Sequence, residues 1–296
     1  YNQVGPATGH QPHRMALIRQ GTCMTTIDSG TNAYAGIDDL RVELDNGVLA
    51  VTLHRPDSLN SLTAPMLNTF AETLERAAGD AAVRVVRVGG SGRGFCSGAG
   101  ISEQDHANPG AAGTPADVLD AANRCIRALV SLPQPAVAVV QGAAAGVGVS
   151  LALACDVVLA SEKAFFMLAF TKIGLMPDGG ASALIAAAVG RIRAMRMALL
   201  AERISATDAV EWGLVSAAYP VDIFDAEVDK VIATLVSGPA VALRKTKDAI
   251  NAATLTELES ALELEKQGQL ELLVSNDFKE GTRAFQQRRA ANFTGS

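Results

Sequence analysis

The chain has 296 residues, of which 49% are hydrophobic and 19% are charged, and its formal net charge is −6. A chain of this length and apolar content can bury a core that needs neither disulfides nor metals, so a mainly disordered protein is excluded. The acidic balance argues against a nucleic-acid partner, because phosphate binding requires clustered Lys and Arg side chains on one face.

The four cysteines are widely spaced, and none belongs to a Cys-x-x-Cys pair. They are Cys23, Cys96, Cys125 and Cys155. This spacing indicates neither a zinc cluster nor a secreted disulfide framework. We therefore expect no bound metal and a reducing, cytoplasmic location.

The chain starts with a segment that lacks apolar periodicity. Residues 1–36 contain no signal-peptide pattern and are predicted to be a mobile N-terminal extension. Alternation of apolar and polar residues begins at Leu40, and Asn46-Gly47 separates two alternating runs. Asn-Gly between such runs is a strong signal for a β-hairpin.

Strand and helix patterns then alternate. Apolar residues at helical spacing occupy Met66 to Leu74, and the β-branched run Val83 to Val88 predicts a buried strand. Strands at Ala136 to Val140 and Asp156 to Ala160 flank a predicted helix at Val149 to Ala154. This order predicts an α/β protein with a parallel sheet and crossover helices. The chain after residue 180 is predicted to be mainly helical.

One stretch in this region has an unusual composition. From Ala128 to Cys155 there are 28 residues without a charge, which is enough in principle to cross a bilayer. The stretch contains Pro133 and Pro135, and its middle, Gly142 to Gly148, is made of small residues. A buried strand, a glycine-rich turn and a buried helix explain it better, so no membrane partner is expected.

Common cofactor and catalytic motifs do not occur. No window reads G-x-G-x-x-G or G-x-x-x-x-G-K-[ST], which disfavours nicotinamide dinucleotides and nucleoside triphosphates, and we expect no cofactor. No histidine lies in a G-x-S-x-G setting. His54 follows an apolar strand and is predicted to be a capping or packing residue rather than a base.

Two turns of small residues are the strongest local candidates for a site. Residues 94–101 and 142–148 each follow a predicted strand and precede a helix. Such turns expose backbone N–H groups to a ligand oxygen, and the start of the helix adds a partial positive charge. The residues alone allow either an oxyanion hole or tight packing of a helix on a sheet.

Several short motifs follow one another between Leu40 and Phe293. They are His54-Arg55-Pro56 with Leu59-Asn60, Arg93 to Ala99, Gln141 to Gly148 with Cys155-Asp156, Phe170 to Gly180, Glu280-Gly281 to Phe285, Arg288-Arg289 and Asn292-Phe293. In order and spacing they resemble the crotonase (enoyl-CoA hydratase/isomerase) superfamily. The resemblance implies a spiral of ββα units over residues 37–230 and a C-terminal helical trimerisation region over residues 231–296. It also implies homotrimers or dimers of trimers and acyl-CoA thioester substrates.

The resemblance also assigns residues to a site. In this family two backbone N–H groups hold the thioester oxygen, and by position they belong to Ala99 and Val147. Coenzyme A is part of the substrate, so no separate cofactor is implied. The residues assigned to binding the CoA thioester are Asp57, Ser58, Ser97, Ile101, Phe170, Phe285 and Arg288. The last two belong to the last helix, either of the same subunit or of a neighbouring one.

The sequence departs from the hydratases of that family at two places. Those enzymes use two glutamates to handle water, and the corresponding positions here are Ser150 and Phe170. Neither side chain can act as a carboxylate base, and a positioned acid or base accelerates such a step about 10²–10⁴-fold. The departure argues against standard hydration.

The acids near these positions are few. Between Arg127 and Arg191 they are Asp156, Glu162 and Asp178. We interpret Asp156 as a cap and Glu162 as part of an exposed turn. Spacing alone favours a helix N-cap for Asp178 as well, because it precedes two glycines and a helix.

The run from Phe170 to Gly180 is similar to the isomerase branch of the family, typified by 1,2-epoxyphenylacetyl-CoA isomerase and enoyl-CoA isomerases. That similarity implies that Asp178 is the acid/base. Whether Glu103 or Asp105 supplies a second acid stays open. Three functions stay open at this level. They are an acyl-CoA isomerase that shifts a double bond or opens a ring, an enoyl-CoA hydratase of low or atypical activity, and a non-catalytic acyl-CoA-binding subunit.

Overall fold

Ten strands and nine α-helices occur in residues 34–99 and 114–296, the part of the chain that the computed structural model describes. The strands are β1 (Leu40–Asp45), β2 (Val48–Leu53), β3 (Val85–Gly90), β4 (Gly94–Cys96), β5 (Ala136–Val140), β6 (Ala143–Ala145), β7 (Val157–Ser161), β8 (Phe165–Met167), β9 (Ile204–Ser205) and β10 (Ala217–Tyr219). The helices are α1 (Ala64–Ala78), α2 (Pro115–Ser131), α3 (Val147–Leu153), α4 (Ala181–Leu200), α5 (Ala206–Trp212), α6 (Val221–Ser237), α7 (Ala240–Thr254), α8 (Leu258–Leu272) and α9 (Asn276–Gln286).

The strands form two sheets. The larger has the order β1-β2-β3-β5-β7-β10 and is parallel except for the pair β1 and β2, and the smaller has the order β4-β6-β8-β9. Successive strands enter the two sheets alternately, as β3 then β4, β5 then β6, and β7 then β8. A helix follows each of the first two pairs. The predicted α/β spiral of ββα units is therefore confirmed.

The hairpin at the start of this spiral forms where the Asn-Gly signal predicted it. Asn46 and Gly47 have φ values of 47° and 83°, and Asp45 pairs with Val48 across the turn. Positive φ at both central residues matches a type I′ turn, whose twist fits that of the flanking strands. This turn fixes the register of β1 on β2.

The uncharged stretch becomes the centre of the molecule. It forms the end of α2, all of β5 and β6, and α3, and every residue of β5 is buried. One face of the larger sheet is covered by α1, α2 and α3, whereas Phe224, Val228 and Ile232 of α6 cover the other. Parallel strands covered on both faces have no place for charged side chains, which explains the composition. Within the described ranges, no helix is long and apolar enough to span a bilayer.

A buried ion pair joins the C-terminal helices to this core. The Lys247 ammonium on α7 lies 2.9 Å from Asp156 Oδ2 and 3.0 Å from the carbonyl oxygen of Leu129. The same carboxylate oxygen accepts the N–H of Ala136, at the start of β5, at 2.7 Å. Asp156 therefore caps a strand, as predicted, and it also anchors α7.

The division of the chain predicted from the sequence can be compared with these elements. The boundary between residues 230 and 231 lies inside α6, which packs on the larger sheet. The N-terminal segment is described only from residue 34, and Tyr34 is buried, with its hydroxyl 2.8 Å from Asp80 Oδ2.

Candidate active site

The two glycine-rich turns meet in the folded chain. Gly98 and Gly146 have φ values of 91° and 55°. A Cβ atom on Gly98 would lie 3.0 Å from the carbonyl oxygen of Ala145 and 3.5 Å from the Cα of Gly146, so the two backbones are in direct contact. The residues that follow, Ala99 and Val147, are thereby brought to the same place.

Val147 is the first residue of α3. Its N-cap is Gly146, which offers no side-chain hydrogen bond to the helix. The first N–H groups of an α-helix have no partner within the helix and carry a partial positive charge. The turn therefore presents polar hydrogens at a point where two backbones meet.

The loop that carries Asp178 packs on the same end of α3. A Cβ atom on Gly179 would lie 2.9 Å from Val147 Cγ2 and 3.3 Å from Ser150 Oγ. The Ser150 hydroxyl donates to the carbonyl oxygen of Asp178 at 2.9 Å. Phe170 approaches from the other side, with its Cζ atom 3.7 Å from where a Cβ of Gly146 would lie. Asp178 and Phe170 therefore both lie next to the two turns.

The Asp178 carboxyl is partly buried and has one polar partner among the described residues. Gln269 Nε2 of α8 donates to its Oδ2 at 2.8 Å. The pKa of Asp178 is raised to about 7, mainly by burial; the hydrogen bond from Gln269 acts against this increase, and the negative charge of Glu265 adds to it. A carboxyl group with a pKa near neutrality can both take up and release a proton at physiological pH.

Asp178 is not the N-cap that its spacing suggested, so that interpretation was wrong. Helix α4 begins at Ala181 with Gly180 as its N-cap residue. The N–H of Gly180 donates to Glu265 Oε2 at 2.6 Å, and the N–H of Ser182 donates to Oε1 at 2.8 Å. Because Glu265 of α8 caps the helix from outside, the Asp178 side chain is free for another role.

Sequence reasoning missed Glu265 and Gln269. They continue the buried face of α8 that starts with Leu258 and Leu262, and all four side chains are buried. Two polar residues at the positions of a helix's apolar stripe are a signal that could have been noticed. Their partners could not have been named, because Gln269 is 91 residues from Asp178.

Three of the residues assigned to CoA binding lie together. Asp57 and Ser58 belong to a 3₁₀ turn at Pro56–Ser58. The Ser97 hydroxyl donates to the carbonyl oxygen of Ser58 at 2.8 Å, and its N–H donates to that of Leu59 at 2.9 Å. Ser97 is also next to Gly98, so this group adjoins the two turns.

Two further assigned residues are exposed near the C-terminus. Phe285 on α9 and Arg288 just after it are exposed, and neither side chain hydrogen-bonds to Asp57, Ser58 or Ser97 in the described part of the chain. Three further residues, Ile101, Glu103 and Asp105, lie outside the described residues.

Other polar groups singled out in the sequence have structural partners. The Nδ1 atom of His54 is 2.6 Å from Ser91 Oγ, and the Ser91 hydroxyl in turn donates to the carbonyl oxygen of Leu53 at 2.8 Å. Glu162 Oε1 accepts the N–H of Val221 at 3.3 Å, at the start of α6. Nowhere in residues 34–99 and 114–296 do three or more His, Cys, Asp or Glu side chains come close enough to hold a metal ion.

Comparison with known proteins identifies the family. The sequence profile of the enoyl-CoA hydratase/isomerase family matches residues 43–296. The chain belongs to this family. The resemblance that the motifs indicated is therefore confirmed, and the chain is a crotonase-family enzyme that acts on acyl-CoA.

Named relatives include both of the family's activities. The chain is 41% identical to a probable enoyl-CoA hydratase of Rhodobacter capsulatus, over 86% of this chain and 98% of that protein. It is 36% identical to 1,2-epoxyphenylacetyl-CoA isomerase of Escherichia coli, over 85% and 97%. A solved enoyl-CoA hydratase from Mycobacterium avium subsp. paratuberculosis is 64% identical with a TM-score of 0.81, over 88% of this chain and all of that one.

Proposed function

We propose that this enzyme is an acyl-CoA isomerase that shifts a double bond or opens a ring in a CoA thioester, with Asp178 as its acid/base. One observation carries the proposal. The loop of Asp178 packs on the start of α3 and its carboxyl has a pKa of about 7, whereas by the family resemblance Ser150 and Phe170 stand at the positions of the two hydratase glutamates. A single carboxyl group suffices to move a proton between two carbons.

The proposed mechanism begins with the thioester oxygen held by the backbone N–H groups of Ala99 and Val147. The Asp178 carboxylate removes a proton from one carbon, and the electrons move into an enolate whose negative oxygen those two N–H groups stabilise. The same carboxyl returns the proton to another carbon, so the atoms of substrate and product balance. Removal of one oxyanion donor typically costs about 10²–10³ in rate.

The hydrogen bonding of Asp178 suits this role. Its Oδ2 accepts from Gln269, whereas its Oδ1 has no hydrogen-bond partner among the described residues. One oxygen is thus held and the other is available to the substrate. The mechanism requires no cofactor other than the coenzyme A carried by the substrate.

An atypical enoyl-CoA hydratase is the second candidate, and the names of two of the relatives favour it. The side chains in the site do not. The Ser150 hydroxyl is committed to a backbone carbonyl and Phe170 is apolar, so neither activates water. Rapid hydration of crotonyl-CoA by the purified enzyme would favour this candidate over the isomerase.

Proton exchange in deuterated water distinguishes the candidates. We expect the enzyme to exchange protons of 3-enoyl-, 2-enoyl- or aryl-CoA thioesters with solvent deuterium, and NMR measures this exchange. The variant Asp178→Asn should lose the exchange activity while still binding the thioester. Asp225→Asn, an exposed aspartate on α6, is the matched control. Full exchange by Asp178→Asn contradicts the assignment of the acid/base. Binding without exchange by the unaltered enzyme identifies a non-catalytic acyl-CoA-binding subunit.

The proposal extends to assembly and location. We infer a homotrimer or dimer of trimers in which Phe285 and Arg288 reach the CoA of a neighbouring subunit, with Asp57, Ser58, Ser97 and Ile101 contributed by the first. Exposed apolar side chains on α4, α8 and the segment after it support an interface. They are Ile192, Leu199, Leu200, Leu264, Leu270 and Val274. Light scattering coupled to gel filtration measures the oligomeric state.

A cytoplasmic location is supported by the thiols, since Cys96, Cys125 and Cys155 are buried and free. The net charge of −6 supports the absence of a nucleic-acid partner. No membrane partner is included in the proposal.

A further inference from the structure

Helix α8 carries two buried polar side chains that both face the loop of Asp178. Glu265 and Gln269 are 1% and 2% exposed. Burying a polar group is costly unless it is hydrogen-bonded, and apolar residues would pack a helix equally well at these positions. Every hydrogen bond that these two side chains make in the described residues goes to residues 176–182.

Gln269 holds this loop in a defined orientation. Its Oε1 accepts the N–H of Met176 at 3.2 Å, and its Nε2 donates to the carbonyl oxygen of Met176 at 3.0 Å. A backbone N–H can only donate, so the amide atom that faces the Met176 N–H must be the oxygen Oε1 and the other must be the nitrogen Nε2. The remaining N–H of Nε2 then points to Asp178 Oδ2, at 2.8 Å.

The helix contacts the loop on both sides of Asp178. Gln269 binds Met176, two residues before the aspartate, and Glu265 binds Gly180 and Ser182 after it. The approach is so close that a Cβ atom on Gly268 would clash with the Met176 sulfur. The position of the Asp178 carboxyl is therefore set by α8 as well as by its own loop.

We propose that α8 sets the position and the proton affinity of the acid/base of this enzyme. Gln269 is a positioning residue that holds one oxygen of Asp178, and the Glu265 carboxylate places a negative charge near that side chain. The proposal rests on the role of Asp178 under Proposed function. It deepens that role by naming two residues that act on the carboxyl in addition to its burial, the largest cause of its raised pKa.

The two residues act on Asp178 in opposite directions. The hydrogen bond from Gln269 lowers the pKa of Asp178, and the negative charge of Glu265 raises it. Among the described residues, Glu265 is the one charge that acts on the pKa of Asp178, and α3 and residues 174–180 contain no ionisable side chain besides Asp178 itself. Loss of the Gln269 donor should thus raise the pKa of Asp178, and loss of the Glu265 charge should lower it.

The test compares Gln269→Met and Glu265→Gln in the pH profile of proton exchange. Gln269→Met keeps the length of the side chain without its donor. We expect its acidic limb to move to higher pH and kcat at pH 7 to fall about 10-fold to 100-fold, with KM nearly unchanged. The acidic limb of Glu265→Gln should move to lower pH. A merely structural role does not produce displacements of opposite sign.

The same helix provides matched controls. Glu263 and Gln267 repeat the spacing of Glu265 and Gln269 on the exposed face, where Gln267 Nε2 donates to Glu263 at 2.7 Å. Glu263→Gln and Gln267→Met should leave the pH profile unchanged. If one of the two buried variants fails to fold, the pH profile of the buried variant that folds is measured. The titration of Asp178 is also measured directly in the unaltered enzyme by carboxyl ¹³C NMR, with Asp178→Asn used to assign the signal.

The outcomes separate the two proposals. If Asp178→Asn abolishes exchange while both buried variants keep the profile and kcat of the unaltered enzyme, the role of α8 is wrong and that of Asp178 stands. Displacements of the same sign for both variants also overturn the role of α8. If Asp178→Asn exchanges protons normally, the proposed function itself fails.

Discussion

Two aspartates of this enzyme are held by C-terminal helices, and their partners differ. Asp156 receives a buried ammonium from Lys247 of α7, and Asp178 receives an amide from Gln269 of α8 with the carboxylate of Glu265 nearby. Burial raises the pKa of both, but at Asp156 the cation opposes this increase, whereas at Asp178 a second negative charge adds to it. A carboxylate paired with a cation anchors structure, and one left without a cation can exchange its proton near pH 7.

The largest expected difference between the two is in catalysis. Asp178→Asn should lower the rate of proton exchange about 10²–10⁴-fold, because the acid/base is lost. The same substitution at Asp156 should leave the rate per folded molecule unchanged, since that side chain binds Ala136 and Lys247. Exchange rates measured by NMR, normalised to folded protein, check both. A comparable loss in the two variants would break the comparison.

For stability, the ion pair of Asp156 should matter more than the carboxyl of Asp178. Lys247→Met leaves Asp156 buried without its cation and should lower the free energy of unfolding by about 3–5 kcal/mol, as is typical of a broken buried ion pair. Lys245→Met, on the exposed face of α7, is the control and should have little effect. Urea unfolding followed by circular dichroism measures both, and equal stabilities would contradict the anchoring role.

The pH dependence of stability should identify Asp178 in a second way. Its pKa is 3.8 in a free side chain and about 7 in the folded chain. Between these values the folded chain holds a proton that the unfolded chain has released, so the free energy of unfolding falls as pH rises and levels off above about 7. Asp178→Asn should remove this fall and be the more stable form at pH 8 by about 2 kcal/mol, less than full burial would give.

The measured quantity is the difference in the free energy of unfolding between the unaltered enzyme and Asp178→Asn, from pH 4 to pH 8. The contributions of other titrating groups cancel in this difference. A difference that does not change with pH would show that Asp178 has an ordinary pKa in the folded chain.

The smallest expected effect concerns the backbone of the same loop. Ser150→Ala removes the donor to the carbonyl oxygen of Asp178 and should cost about 1 kcal/mol of stability. Ser131→Ala, which removes an exposed hydroxyl on α2, is the control. Proton exchange should persist in both variants, because neither hydroxyl takes part in proton transfer. Loss of exchange in Ser150→Ala would show that the serine itself handles the proton.

Much of the fold was determined locally. The Asn46-Gly47 hairpin, the strand Ala136–Val140 and the apolar face of α1 occur where the sequence predicted them. Turn chemistry and the periods of strands and helices act over a few residues, so a sequence displays them directly. The order of motifs also identified the family and pointed to Asp178 by position.

Only the tertiary structure decided what surrounds Asp178. Its spacing favoured a helix N-cap, but Glu265, 85 residues from Gly180, performs the capping. The amide that holds the carboxyl comes from Gln269, and burial, with a smaller contribution from the charge of Glu265, raises its pKa. Such partners depend on how α8 packs against a loop far away in the chain, and the strength of burial and charge depends on distances that no local pattern contains.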